Sequence, residues 1–183
     1  MKNVIAEYLD LMDAQRKTAF ASLEGLGEAH IWQRPAPKEW CIAEILDHNV
    51  RLFESILPGL QTAWALFAWY GRLRRNRPYP VVVENVYKRP GFPMWTGFLW
   101  TPKFNPSKTI PLADLQAESE SVHRRAREFY AGKDPDVLGN LYGWDPAIGV
   151  VNLIQALKVG IDHDQLHYED VIELASQLQR AGV

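Results

Sequence analysis

Apolar residues recur along this chain at intervals of three and four, not two, so helices are expected almost throughout. Ile5, Tyr8, Met12, Ala19 and Leu23 place one apolar stripe on a helix over about 3–23, which Gly25 and Gly27 close. After an irregular connection carrying Pro35 and Pro37, the series Ile42, Ile45, Leu46, Leu52, Phe53 and Ile56 predicts a second helix from Cys41 to at least Leu57. Pro58 then either kinks it or opens a new helix through Tyr70, because an interior proline forfeits a backbone hydrogen bond. A third helix spans Leu112 to Phe129 and ends near Gly132, and a fourth begins near Gly149 and runs almost to the C-terminus on Leu153, Leu157, Gly160, Val171, Leu174 and Leu178.

Between the second and third helices, residues 76–111 hold seven of the twelve prolines, with Val81, Val82 and Val83 as the only β-like run. An irregular segment this long serves as a cover over a site or as a strap crossing between helices, and both readings stand. Four long helices without a convincing strand series predict an all-α chain, a four-helix bundle with one long crossover connection between helices two and three. The shorter connections favour helices one and two, and three and four, as antiparallel neighbours. At 183 residues a single domain spanning 1–183, with its insertion at about 76–111, is expected.

Composition changes this picture little. A net charge of −2 gives no general pull toward nucleic acid or anionic lipid, and the run Arg72, Arg74, Arg75, Arg77 reads as a solvated segment end. The uncharged stretch Ser55 to Gly71 is 17 residues, interrupted by Pro58 and Gly59, and falls short of a membrane span, so no membrane partner is expected. One cysteine, Cys41, forms no internal disulfide, and Glu7 and Asp10 stand where a secretory segment would be apolar, so a cytoplasmic location is the expectation. Cys41 itself reads as a small core side chain.

The candidate chemistry lies in histidines. His163 and His167 are four apart on the stripe formed by Gly160, Val171 and Leu174, so both imidazoles share one helix face with a rise of about 6 Å. Two inward imidazoles need partners, and one shared cation satisfies both. His48, beside Ile45 and Leu52 on the second helix, supplies a third ligand from a neighbouring helix. Three neutral imidazoles with an open position suit one divalent transition metal, zinc or nickel first, with iron, cobalt and manganese as alternatives. His123, between Val122 and Arg124, reads as off the stripe of its helix, and His30 as a loop residue near Trp32. Asp164 and Glu44 are expected to be solvated rather than catalytic, and no catalytic residue is assigned. Trp32, Trp40, Trp95, Trp100 and Trp144 are candidates for an apolar pocket. A zincin would need Glu where Asp164 follows His163, and the two Glu-x-x-His motifs that ferritin-like di-iron proteins need are not both present in the sequence.

The segment Arg34 to Phe53, R-P-A-P-K-E-W-C-I-A-E-I-L-D-H-N-V-R-L-F, followed far downstream by His163-x-x-x-His167, resembles the DinB-like superfamily over nearly the whole chain. The resemblance implies a four-helix bundle with an unusual crossover and a metal held by three histidines, matched here by His48, His163 and His167. It also implies similarity to enzymes that transfer a low-molecular-weight thiol to a small electrophile in detoxification or stress response. A homodimer is compatible with that fold. The alternative is a non-catalytic bundle that binds a metal or small ligand.

Overall fold

The computed structural model describes residues 4–89, 100–145 and 148–182. It is mainly helical. Four long helices, α1 (Val4–Ala21), α3 (Ile42–Arg74), α4 (Leu112–Tyr130) and α6 (Leu153–Arg180), are accompanied by the single turns α2 (Glu28–Ile31) and α5 (Pro135–Leu138). A small antiparallel hairpin pairs β1 (Tyr142–Asp145) with β2 (Gly149–Asn152).

Each long helix buries the stripe its sequence carries: Ile5, Leu9 and Met12 on α1, Leu46, Phe53 and Leu57 on α3, Leu115 and Val122 on α4, Ile154, Ile161 and Val171 on α6. Their main contacts run in the pairs α1 with α6, α6 with α3, α3 with α4 and α4 with α1. The pairs expected as neighbours, α1 with α3 and α4 with α6, are not among these contacts. Their connections carry α2 in one case and α5 with the hairpin in the other, which gives each chain segment the length to reach past its nearest neighbour.

One open alternative is decided and two expectations need correction. The helix α3 continues through Pro58 for 33 residues. Pro58 lies on the exposed face of the helix. The last helix starts at Leu153, not near Gly149, because a short hairpin precedes it; the chain stays mainly helical. Gly149 has φ +83°, a left-handed conformation that ends the turn, and the Asp145 carboxylate accepts the Ile148 N–H at 3.1 Å. Asn152 then caps α6, accepting the N–H groups of Ile154 and Gln155 while Gln155 reaches back to the Asn152 N–H. Finally, His30 sits in α2 rather than in a loop.

The valine run forms no strand. Its segment is held by side chains: Tyr8 O–H donates to the Val81 carbonyl at 3.0 Å, Asn152 to that of Pro80 at 2.7 Å and Gln155 to that of Val82 at 3.0 Å. A 3-10 turn at Val86–Lys88 follows. Among the described residues no helix is long and apolar enough to cross a membrane.

Candidate metal centre

The histidine-bearing stretches of α3 and α6 meet face to face, because Gly160 has no side chain. A Cβ there would stand 3.3 Å from the Phe53 ring, so that ring would have to give way by a few tenths of an ångström. One turn further along α6, His163 faces α3, and His48 lies one turn before Leu52 on the opposing surface. His167 completes the group one turn beyond His163. Ring centroids are 5.0 Å apart for His48 and His163, 4.7 Å for His48 and His167, and 4.6 Å for His163 and His167. One ring nitrogen from each lies within 4.8 Å of the others, and the three residues are 1%, 4% and 8% exposed.

Hydrogen bonding fixes which nitrogens face inward. The ring nitrogen Nδ1 of His48 lies 2.8 Å from the Trp100 carbonyl oxygen. A carbonyl only accepts, so Nδ1 carries the proton and Nε2 keeps its lone pair. That lone pair points at Nε2 of His163, 3.1 Å away. Asp164 Oδ1 stands 3.8 Å from His163 Nδ1, beyond hydrogen-bond distance, so a proton on His163 Nε2 satisfies the His48 lone pair when no cation takes its place. A cation between the two nitrogens would replace that proton. Nitrogens bound to one tetrahedral ion at about 2.0–2.1 Å are about 3.3 Å apart, close to the observed separation. The donor set therefore fits a divalent metal ion. Burial, followed by the neighbouring His167 and His163, pushes His48 down to about 3, and burial likewise lowers His163, so both rings are neutral as ligands must be.

Residues outside the trio hold it in place. Asp47, fully buried, accepts the backbone N–H groups of Lys103 and Phe104, the latter at 3.1 Å, and the Nε–H of Arg51 at 3.0 Å. These bonds dock the segment that carries Trp100 onto α3, while the Trp100 indole N–H donates to Ser55 Oγ at 2.6 Å. Glu44 is buried rather than solvated and pairs with Arg34, whose Nε–H donates at 2.8 Å. Burial opposes the Glu44 charge, but Arg34 outweighs it and holds the carboxyl below its ordinary range. Cys41 caps α3 together with Glu44, and burial pushes its thiol up to about 12, so it is no thiolate.

On the far side of His163 the expectations fail. Asp164 is fully buried, and His123 is only 2% exposed, on the core face of α4. Its Nε2–H donates to Asp164 at 3.1 Å, and Asp13 approaches its Nδ1 at 3.7 Å. Burial works against charge on His123, yet the two carboxylates override it and raise its pKa. The same contacts hold Asp164 below its ordinary value although burial pushes the other way. The sequence signal was present: His123 lies four residues after Ser119 and three before Ala126, both buried.

Two cavities flank the trio. An open one of about 480 Å³ is lined by Trp40, Lys38, Glu39, Glu173 and Asp170 and reaches His167. An apolar one of about 350 Å³ lies beside Trp100 and Tyr87, whose rings stand 6.0 and 5.5 Å from that of His163. Of the tryptophans singled out, Trp40 lines the first, Trp100 and Trp144 the second, Trp32 is buried in the core, and Trp95 lies outside the described residues.

No curated protein matches the chain. A family model described as the DinB superfamily matches residues 11–171, a span that includes all three histidines. This chain belongs to the DinB superfamily.

Proposed function

We propose that this protein is a DinB-like four-helix bundle with a long crossover, in which His48, His163 and His167 hold one divalent transition metal ion that serves thiol transfer to a small electrophile. The carrying observation is the convergence of three buried imidazoles, with the Nε2 atoms of His48 and His163 3.1 Å apart. Bound there, the ion would lower the pKa of a thiol at its open position. The choice of reaction rests on the resemblance to thiol-dependent transferases.

The chain's own residues supply orientation and access. The Trp100 carbonyl fixes the His48 tautomer, Asp47 fixes the segment carrying that carbonyl, and the cavity at His167 leads from solvent to the trio. The thiol gives up its S–H proton to solvent, its sulfur bonds the electrophilic carbon, and the leaving group departs with the electron pair of the broken bond. Metal-loaded protein incubated with a panel of cellular thiols and 1-chloro-2,4-dinitrobenzene should release chloride faster than the His48→Ala variant with at least one thiol. Equal rates for every thiol, with metal present in the wild type, would leave a non-catalytic metal-binding bundle as the better account.

A further inference from the structure

We infer that the apolar cavity beside His163 is a binding site for an uncharged aromatic or branched aliphatic small molecule, the electrophilic co-substrate. The role as co-substrate rests on the transfer reading above; the binding itself does not.

The cavity, about 350 Å³, lies between α3, the start of α6 and the hairpin, with walls from Leu52, Ile56, Val151, Leu153, Trp100 and Trp144. That volume falls in the range of small-molecule sites, and its lining has the composition such sites show. No lysine or arginine lines it among the described residues. Two of its polar groups are already engaged: the Trp100 indole donates to Ser55 and the Asp145 carboxylate accepts the Ile148 N–H. A ligand is therefore recognised by apolar contact, and an anion would enter without a counter-charge and beside a carboxylate.

Position ties the cavity to the candidate centre. Tyr87 and Trp100 belong to its wall and also meet the His163 ring edge-on, so a molecule filling it lies one ring away from the trio. The other cavity, which mixes charged and apolar side chains, opens at His167. One cavity is thus lined by His167 itself and the other is separated from His163 by Tyr87 and Trp100, an arrangement suited to two co-substrates.

Gly59 and Ala63 give access for a test. A Cβ at Gly59 meets nothing within 4 Å, and both residues line the cavity on α3. The intact protein is titrated with N-phenyl-1-naphthylamine, a neutral probe whose fluorescence rises in apolar surroundings. Saturable binding is expected in metal-loaded and metal-stripped protein alike. It should weaken at least tenfold in Ala63→Trp and in Gly59→Leu, and stay unchanged when the exposed Leu66 and Phe67 on the same helix become serine. 1-Anilinonaphthalene-8-sulfonate, with similar rings and a sulfonate, should bind at least tenfold more weakly. Unchanged affinity in both filled variants, loss in the Leu66→Ser, Phe67→Ser protein, or equal affinity for the anion would each overturn the inference. An absence of metal beside intact probe binding would instead overturn only the transfer reading.

Discussion

Two groups of buried histidine stand on either side of the α6 backbone and respond to burial in opposite ways. In the trio, His48 and His163 face other imidazoles, and burial lowers them. Across α6, His123 is just as buried but faces Asp164 and Asp13, and its pKa rises. The difference lies in the partners. Carboxylates beside His123 favour its charged form, whereas the imidazoles of the trio disfavour charge on one another. Asp164 belongs to both groups, contacting His123 at 3.1 Å and standing 3.8 Å from His163.

Removing a member of the trio should have the largest effect. In His48→Ala, metal affinity measured by chelator competition should fall by more than the roughly 10- to 100-fold that loss of an outer partner costs. An affinity unchanged by this substitution would dissolve the contrast between the two groups. Next comes Asp164→Ala, which strands a buried charge on His123; breaking a buried pair from one side costs about 3–5 kcal/mol, read by denaturant unfolding. Replacing His123 and Asp164 together with leucine should recover most of that loss, and failure to recover any would show that the pair's charges are not what matters.

Asp47→Ala ranks third. It orphans the Lys103 and Phe104 N–H groups, at about 1–3 kcal/mol for a buried unsatisfied group, and loosens the carbonyl that orients His48, so metal affinity should fall about 10-fold as well. A stability loss without any change in affinity would separate the strap from the site.

The smallest effect is the pH dependence of the metal-free protein, where the two groups carry opposite signs. His48 and His163 have lowered folded values, so their contribution is complete above about 6.5, the ordinary value, and is lost as pH falls, for His48 toward about 3. His123 has a raised folded value, so its contribution is complete below 6.5 and is lost as pH rises through that folded value. Urea midpoints across pH should show a shallower acid limb in His48→Ala and a flatter neutral limb in His123→Gln. An acid limb identical to wild type in His48→Ala would contradict the assignment.

What the sequence made legible was whatever lies within one element. The stripes of α1 and α4 emerged because each helix buries a single face, and His163 with His167 emerged because a spacing of four fixes their shared side. His48 required the further step of expecting a neighbouring helix. Relations across elements stayed hidden. His123 and Asp164 are 41 residues apart, and each, read alone beside charged neighbours, suggests a solvated position. The Trp100 contact is made by a backbone carbonyl, to which the identity of the side chain gives no clue. The hairpin escaped notice because its strands are four residues each and lie beside a strong helical pattern, so that only Gly149 marked the boundary.

The most direct test is elemental analysis of the purified protein beside a His163→Ala, His167→Ala variant, each reconstituted with zinc or nickel and dialysed. About one divalent ion per wild-type chain and almost none in the variant is the predicted result. No retained metal in the wild type, or equal metal in both proteins, would contradict a centre built from His48, His163 and His167.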